Sequence, residues 1–245
     1  SVVLQTHRHV ALFDTGPSFR GGGSAAGFTV LPFLARRGIE RIDELIVSHG
    51  DLDHAGGLRD LIRGTRVGNV RVGESIPVLG HAQQACMAGD RWTWDGAEFR
   101  VLHPRRNTRW RGNNASCVLE VTVGTHRLLL TGDIESPVEK LLAHRDRLRA
   151  ADVVFVPHHG SRTSSTDSLV RATRPEIALI SAGFRNRWGQ PAEAVTDRWR
   201  RAGARVINSA EAGGISQRLC ADSGPQELRA TRFARRRVWS PPPAR

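Results

Sequence analysis

Three times along this chain a short apolar run ends in histidine or aspartate. Leu45-Ile-Val47 runs into Ser48-His-Gly-Asp-Leu-Asp-His54, Leu128-Leu-Leu130 into Thr131-Gly-Asp133, and Val153-Val-Phe-Val156 into Pro157-His-His159. Short apolar runs bounded by turn residues read as buried strands. Each strand therefore delivers its polar groups just past its carboxyl end. Between these runs lie stretches of helical spacing, such as Ser136 to Arg149 with Val138, Leu141, Leu142 and Leu148 on one stripe and Pro137 at the first helical position. Strands and helices interleave to the end of the chain, which is the pattern of an α/β (α+β) protein.

The first cluster is the densest. His49, Asp51, Asp53 and His54 put four potential metal ligands into six positions, a layout suited to a hydrolytic site with two metal ions. Gly56-Gly57 then lets the backbone enter a helix, whose amino-terminal N–H groups favour an anion. The competing reading is a polar loop with helix-capping aspartates, which leaves the two histidines unexplained. Asp133 alone reads equally as a turn residue. Of the adjacent His158 and His159, one is expected to bind metal and the other to contact substrate or act as an acid or base. His7, His9, His81, His126 and His144 lack such a carboxylate neighbourhood and read as surface residues; His103 is left unassigned.

The chain of 245 residues is 39% hydrophobic and carries a formal net charge of +12, in which Lys140 is the only lysine. That excess suits a polyanionic partner but speaks to non-specific affinity, not to chemistry. Cys86, Cys117 and Cys220 form no Cys-x-x-Cys pattern, so neither a zinc knuckle nor a disulfide framework is expected. No apolar run is long enough to span a bilayer, and the first residues lack a signal-peptide pattern. Two parts are expected: a hydrolase-like domain over 1–225 whose first strand is possibly truncated, and a basic, Pro/Arg-rich tail over 226–245, of which Arg232 to Arg245 is expected to fray.

Several further motifs accompany the clusters: Phe13-Asp-Thr-Gly16, Asn113-Asn-Ala-Ser116, Leu130-Thr-Gly-Asp-Ile-Glu135, Ala151-Asp152 and Ser181-Ala-Gly-Phe-Arg-Asn-Arg-Trp-Gly-Gln-Pro191. Together with Ser48 to Gly57 and Pro157 to Ser161, this ordered set resembles the metallo-β-lactamase superfamily. Within it, the set resembles the C-terminal hydrolase-like domain of ComEC-type DNA-internalisation competence proteins. The resemblance covers almost the whole chain. It implies an αββα sandwich, two facing mixed β-sheets with helices outside and a metal site at one edge. It also implies a parent membrane protein whose channel carries single-stranded DNA inward.

What the resemblance implies for function is a metal-dependent nuclease that degrades the non-transported strand during natural transformation. Its metal ligands would be His49, Asp51, Asp53, His54, Asp133 and His158. Asp53 and His159 would be catalytic, and Asp14 would support the ligands from behind. Asn114, Ser116, Ser161, Arg162, Asn186 and Arg187, with Arg185, would meet substrate. The sequence has Asp51 where the superfamily usually has histidine, and the place of the superfamily's third metal-binding histidine falls near Asn114 and Ser116, where this sequence has none. That oxygen-rich set favours two Mn²⁺ or Mg²⁺ ions, with Zn²⁺ the alternative. Gln190 stands where relatives often carry histidine. The expected partners are DNA and the channel portion of the parent protein, with no nucleotide cofactor. The expected location is a soluble domain tethered at the bacterial inner membrane, on its periplasmic or outer face. Two rival functions share these residues: a non-catalytic module that guides DNA, and a small-molecule metallo-hydrolase.

Overall fold

The computed structural model describes residues 1–76, 81–144 and 148–234. It divides into two compact units, Ser1–Leu119 and Glu120–Arg245.

The first unit is built on a sheet of order β1-β2-β3-β4-β5: β1 (Val2–Gln5), β2 (Val10–Phe13), β3 (Arg41–Val47), β4 (Arg66–Val72) and β5 (Gln83–Ala85). β1 and β2 form an antiparallel hairpin with Val2 opposite Phe13, and the remaining neighbours pair parallel, Leu12 beside Leu45 and Leu45 beside Val70. The crossover from β2 to β3 begins with a π-helical turn, Ala26–Val30, that runs into α1 (Leu31–Arg36). The crossover from β3 to β4 carries α2 (Leu52–Ala55) and α3 (Leu58–Gly64). Leu12, Leu34, Ile42, Leu45, Leu61 and Val70 are buried together, so the apolar residues of these runs form one core. A second hairpin, β6 (Arg91–Trp94) and β7 (Ala97–His103), completes the unit, with Trp92 stacked on Phe99.

One expectation is corrected here. Cys86 and Cys117 are joined by a disulfide, with Cα atoms 5.9 Å apart across a sequence separation of 31. Their spacing hides this because the pairing is made by the sheet: the Cys86 N–H donates to Val72 O and the Cys117 N–H to Ser48 O. Cys220 is free.

The chain enters the second unit through β8 (Val118–Val123). That unit's strands run in the order β12-β11-β10-β9-β8, with β9 (His126–Leu130), β10 (Val153–Phe155), β11 (Ile177–Ile180) and β12 (Arg205–Asn208). β9 pairs parallel with β10, β10 with β11, and β11 with β12. The connections carry α4 (Ser136–His144), α5 (Asp167–Thr173) and α6 (Glu193–Arg201). Trp199 of α6 is buried and donates from Nε1 to Ser165 Oγ. The helix expected to reach Arg149 is described to His144; residues 145–147 lie outside the described part, and Leu148 and Arg149 are not helical.

Short elements follow: α7 (Ser209–Ala212), β13 (Ile215–Ser216), β14 (Leu219–Cys220), β15 (Gly224–Pro225), β16 (Arg229–Ala230) and α8 (Thr231–Ala234). The stretch assigned to a tail from 226 is thus structured through Ala234. β16 pairs with β13, and Leu228 packs on the cluster of Val153, Ile177 and Leu179. Residues 235–245, with the Arg235-Arg-Arg237 run, lie outside the described residues.

Candidate metal centre and its supports

In the first unit the site grows from the carboxyl ends of parallel strands, where sheet geometry opens a crevice. Asp14 follows β2 and takes a left-handed φ of 59°. Its buried carboxylate accepts the Ser48 N–H at 2.7 Å, the Ser48 hydroxyl at 3.0 Å and the Nδ1–H of His54 at 2.7 Å. Burial opposes its ionisation, but the His54 imidazole and the Ser48 N–H outweigh that and hold its pKa below the ordinary carboxylate value.

The motif residues after Asp14 clamp the ligand-bearing turn. Thr15 donates from both N and Oγ1 to His54 O, each at 2.8 Å, and the Gly57 N–H reaches Gly16 O at 2.9 Å. Gly57 sits so close that a Cβ there would lie 2.5 Å from Thr15 O and 2.6 Å from Ala26 Cβ. Only glycine fits this approach, which fixes α2 and hence His54.

His49 is fully buried. Its Nδ1 lies 3.0 Å from Ser48 Oγ and 3.3 Å from Ser116 Oγ, and its Nε2 lies 3.5 Å from Asp51 Oδ2. Because Ser48 Oγ donates to Asp14, it accepts from His49 Nδ1. That assignment puts the imidazole proton on Nδ1 and the ring lone pair on Nε2. His54 carries the same tautomer through Asp14, with Nε2 3.9 Å from Asp53 Oδ2. Asp51 stands at the N-cap of α2 but its side chain makes no capping hydrogen bond. The capping alternative therefore fails for Asp51, whose carboxylate is at His49 instead. Glu74 braces the loops, accepting from the Gly50 N–H and the Gly112 N–H.

In the second unit Asp133 follows β9, and His158 and His159 follow β10. Both histidines have left-handed φ values of 49° and 52°. Nδ1 of His159 donates to Ser181 O at 2.6 Å, and its Nε2 lies 3.5 Å from Asp133 Oδ2. His158 is oriented differently: its Nδ1 lies 3.1 Å from Thr163 Oγ1 and 3.3 Å from Glu135 Oε1, and its Nε2 is 4.0 Å from Asp133. Thr163 in turn donates to Glu135 at 2.7 Å. Gly160 accepts the Ala192 N–H through its carbonyl, and a Cβ on it would meet Pro191 Cβ at 2.6 Å.

The substrate-facing expectations resolve individually. Ser116 is buried against His49, where it positions an imidazole. The backbone carbonyl of Asn114 accepts from Nε2 of His103, which is also buried. Ser161 bonds within its own turn to Thr163. Arg162 and Arg187 are exposed. Asn186 has both ends of its amide engaged: Oδ1 accepts from Trp188 N and Gln190 N, while Nδ2 donates to Gly183 O and Gln190 O. The supports that sequence reasoning missed are Ser48, Glu74, Glu135, Thr163 and Ser181. Ser48, Glu135 and Ser181 sit inside the quoted motifs; Glu74 and Thr163 bear no local signal.

The donors suit a divalent cation. Asp53 with His54, and Asp133 with His159, each pair a carboxylate oxygen with an imidazole nitrogen. Histidines held through one ring nitrogen while the other faces a carboxylate are the usual metal-ligand arrangement.

The chain belongs to the metallo-beta-lactamase superfamily, whose sequence pattern matches residues 1–183. Members of this family bind divalent metal ions, and the fold is one of metal-dependent hydrolases. Within the family, the chain is similar to "Recombination protein 2" of Haemophilus influenzae, 37% identical over 91% of this chain and 28% of that protein. It is similar to "Competence protein ComA" of Neisseria gonorrhoeae, 33% identical over 88% of this chain and 30% of that protein. The chain thus spans under a third of these relatives' lengths. Among solved structures it shares its fold with CmlA, a diiron beta-hydroxylase from Streptomyces venezuelae: TM-score 0.56 and 17% identity, covering 83% of this chain and 50% of that one.

Proposed function

We propose that this chain is a metal-dependent phosphodiesterase of a DNA-uptake machinery, cutting the strand that is not carried inward during natural transformation. One observation carries the proposal. His49, His54 and His159 each have Nδ1 fixed by a hydroxyl, carboxylate or carbonyl, and each aims Nε2 at an aspartate. The competence relatives and the excess of arginine support DNA as the substrate.

The proposed ligands are His49, Asp51, Asp53 and His54 in the first unit and Asp133 and His159 in the second. Carboxylates make up half of each unit's set, which favours Mn²⁺ or Mg²⁺ over Zn²⁺. Such ions supply charge neutralisation at phosphorus and lower the pKa of water. His159 takes the ligand role in preference to His158 because its Nε2 stands closer to Asp133 and its Nδ1 is tied to backbone.

His158 is then the proton donor to the leaving oxygen. Glu135 and Thr163 hold its Nδ1 and orient its ring for that transfer. Asp53, half exposed, accepts the proton of the attacking water. Arg162 and Arg187 neutralise the phosphate backbone.

Among the described residues no helix is long and apolar enough to cross a membrane. Placement on the outer face is supported by the Cys86–Cys117 disulfide, since such bonds persist in oxidising compartments, and placement beside a membrane channel by the competence relatives.

The test is cleavage of end-labelled single- and double-stranded DNA with Mn²⁺, Mg²⁺ or Zn²⁺, beside an Asp53→Ala variant. Metal-dependent cleavage that disappears in the variant is expected. Tight, salt-sensitive binding with no cleavage under any ion would replace the nuclease with a DNA-guiding module.

A further inference from the structure

The segment between β11 and α6, Ala182 to Gln190, exposes two large aromatic side chains: Phe184 is 54% and Trp188 67% accessible. Each has an arginine over its ring. The Arg187 guanidinium lies 4.2 Å from the Trp188 ring centroid and that of Arg185 5.3 Å from Phe184. Arg232, anchored to Ala210 O, approaches Phe184 from α8 at 5.9 Å. Ala182 to Gln190 contains no acidic residue.

Asn186 holds this segment in one conformation through its four hydrogen bonds. Gln190 then ties it to the histidine pair, donating from Nε2 to His158 O. The aromatic faces are therefore preorganised next to the turn that carries His158 and His159.

The geometry points to a stacking platform for an unpaired polynucleotide strand, in which Trp188 and Phe184 accept bases on their faces while Arg185, Arg187 and Arg232 neutralise the intervening phosphates. Flat aromatic faces with adjacent guanidinium groups recognise bases whose faces are exposed, and they hold any base because every base has a π-face. A paired duplex offers no such faces except at its ends. The platform rests on the proposed phosphodiesterase reading, and it makes the substrate of that site a strand already separated from its complement. Charge complementarity and the tie to His158 favour a polynucleotide over an anionic lipid surface, which would need no link to the histidine turn.

Fluorescence anisotropy of the full chain with a labelled thymidine 20-mer, an abasic 20-mer of equal charge and a blunt duplex tests this. The thymidine strand should bind at least tenfold tighter than the abasic one. Trp188→Ala should remove most of that gap, and Trp188→Phe should restore most of it, since an aromatic face at 188 is the requirement. Equal binding of thymidine and abasic strands by the wild type would overturn the platform. So would an unchanged gap in Trp188→Ala, or retention on anionic phosphatidylglycerol vesicles with no base dependence. Hydrolysis of bis(p-nitrophenyl) phosphate by the wild type, which needs no base, reports the phosphodiesterase reading separately. If it is absent while the base-dependent gap holds, the enzyme reading fails and the platform remains as a strand-binding surface without a substrate role.

Discussion

Replacing Asp14 by Asn exchanges one carboxylate oxygen for an NH₂ group and tests the tautomer argument at its source. Asp14 accepts three hydrogen bonds: two from Ser48, at 2.7 Å and 3.0 Å, and one from His54 Nδ1 at 2.7 Å. An asparagine amide has one accepting end. With Oδ1 kept on the Ser48 N–H, Nδ2 points at His54 Nδ1, which must then accept. The imidazole proton moves to Nε2, and the lone pair leaves the side that faces Asp53. With the amide flipped, Nδ2 meets the Ser48 N–H donor to donor. Either way one buried interaction with a charged group is lost, worth about 1.5–3 kcal/mol. In a chain of this size that lowers the melting temperature by roughly 3–12 °C. The metal effect is separable: removing an outer partner of a ligating imidazole typically weakens metal binding by about 10- to 100-fold. Mn²⁺ titration calorimetry beside thermal melting of the metal-free protein reads both quantities. Full Mn²⁺ affinity in an Asp14→Asn protein whose melting temperature has fallen would refute the reasoning, because the support would then be structural only.

The other expectations rest on different contacts. Gly57→Ala places a methyl 2.5 Å from Thr15 O and 2.6 Å from Ala26 Cβ, which should cost about 1–3 kcal/mol; Gly21→Ala, with nothing within 4 Å, is the control, and equal melting temperatures for the two would count against the close approach. Replacing Cys86 and Cys117 together by Ala releases a loop closed across 31 residues, a loss of about 3–4 kcal/mol on the chain-entropy account; a urea midpoint unchanged from the oxidised protein would contradict it. Asp95 accepts from Thr6 Oγ1, Arg8 N and His9 Nδ1, and the Thr6 hydroxyl first, then the Arg8 N–H, hold its pKa below the usual carboxylate value. Its contribution is therefore present above the unfolded carboxylate pKa of about 3.9 and lost as pH falls through the lower folded value. The stability gap between wild type and Asp95→Asn should shrink below about pH 4, and a gap as wide at pH 3 as at pH 7 would sink the assignment.

Local pattern made much of the fold readable. β9, β10 and the start of α4 fall close to where apolar runs and helical spacing place them, because strand and helix periodicities are written in neighbouring residues. β5 and β6 carry no such signal, since Gln83-Gln-Ala85 has no apolar alternation and Arg91 to Trp94 has Trp92 partly covered only by stacking on Phe99 of β7. The π-helical turn at Ala26–Val30 likewise carries no sequence signature separate from that of α1.

By itself the sequence determined the chemistry available: which strands end in histidine and aspartate, and where glycines let the chain turn behind them. Those are properties of contiguous residues. Tertiary structure decided how that chemistry is set. It chose the nitrogen each imidazole presents, through partners as far apart in sequence as Asp14 and His54 or His159 and Ser181. It turned Ser116 inward and engaged both ends of the Asn186 amide. It also brought Cys86 to Cys117. A hydrogen bond or a disulfide depends on separations of a few ångströms between residues that only the packed sheets bring together, and no spacing along the chain encodes them.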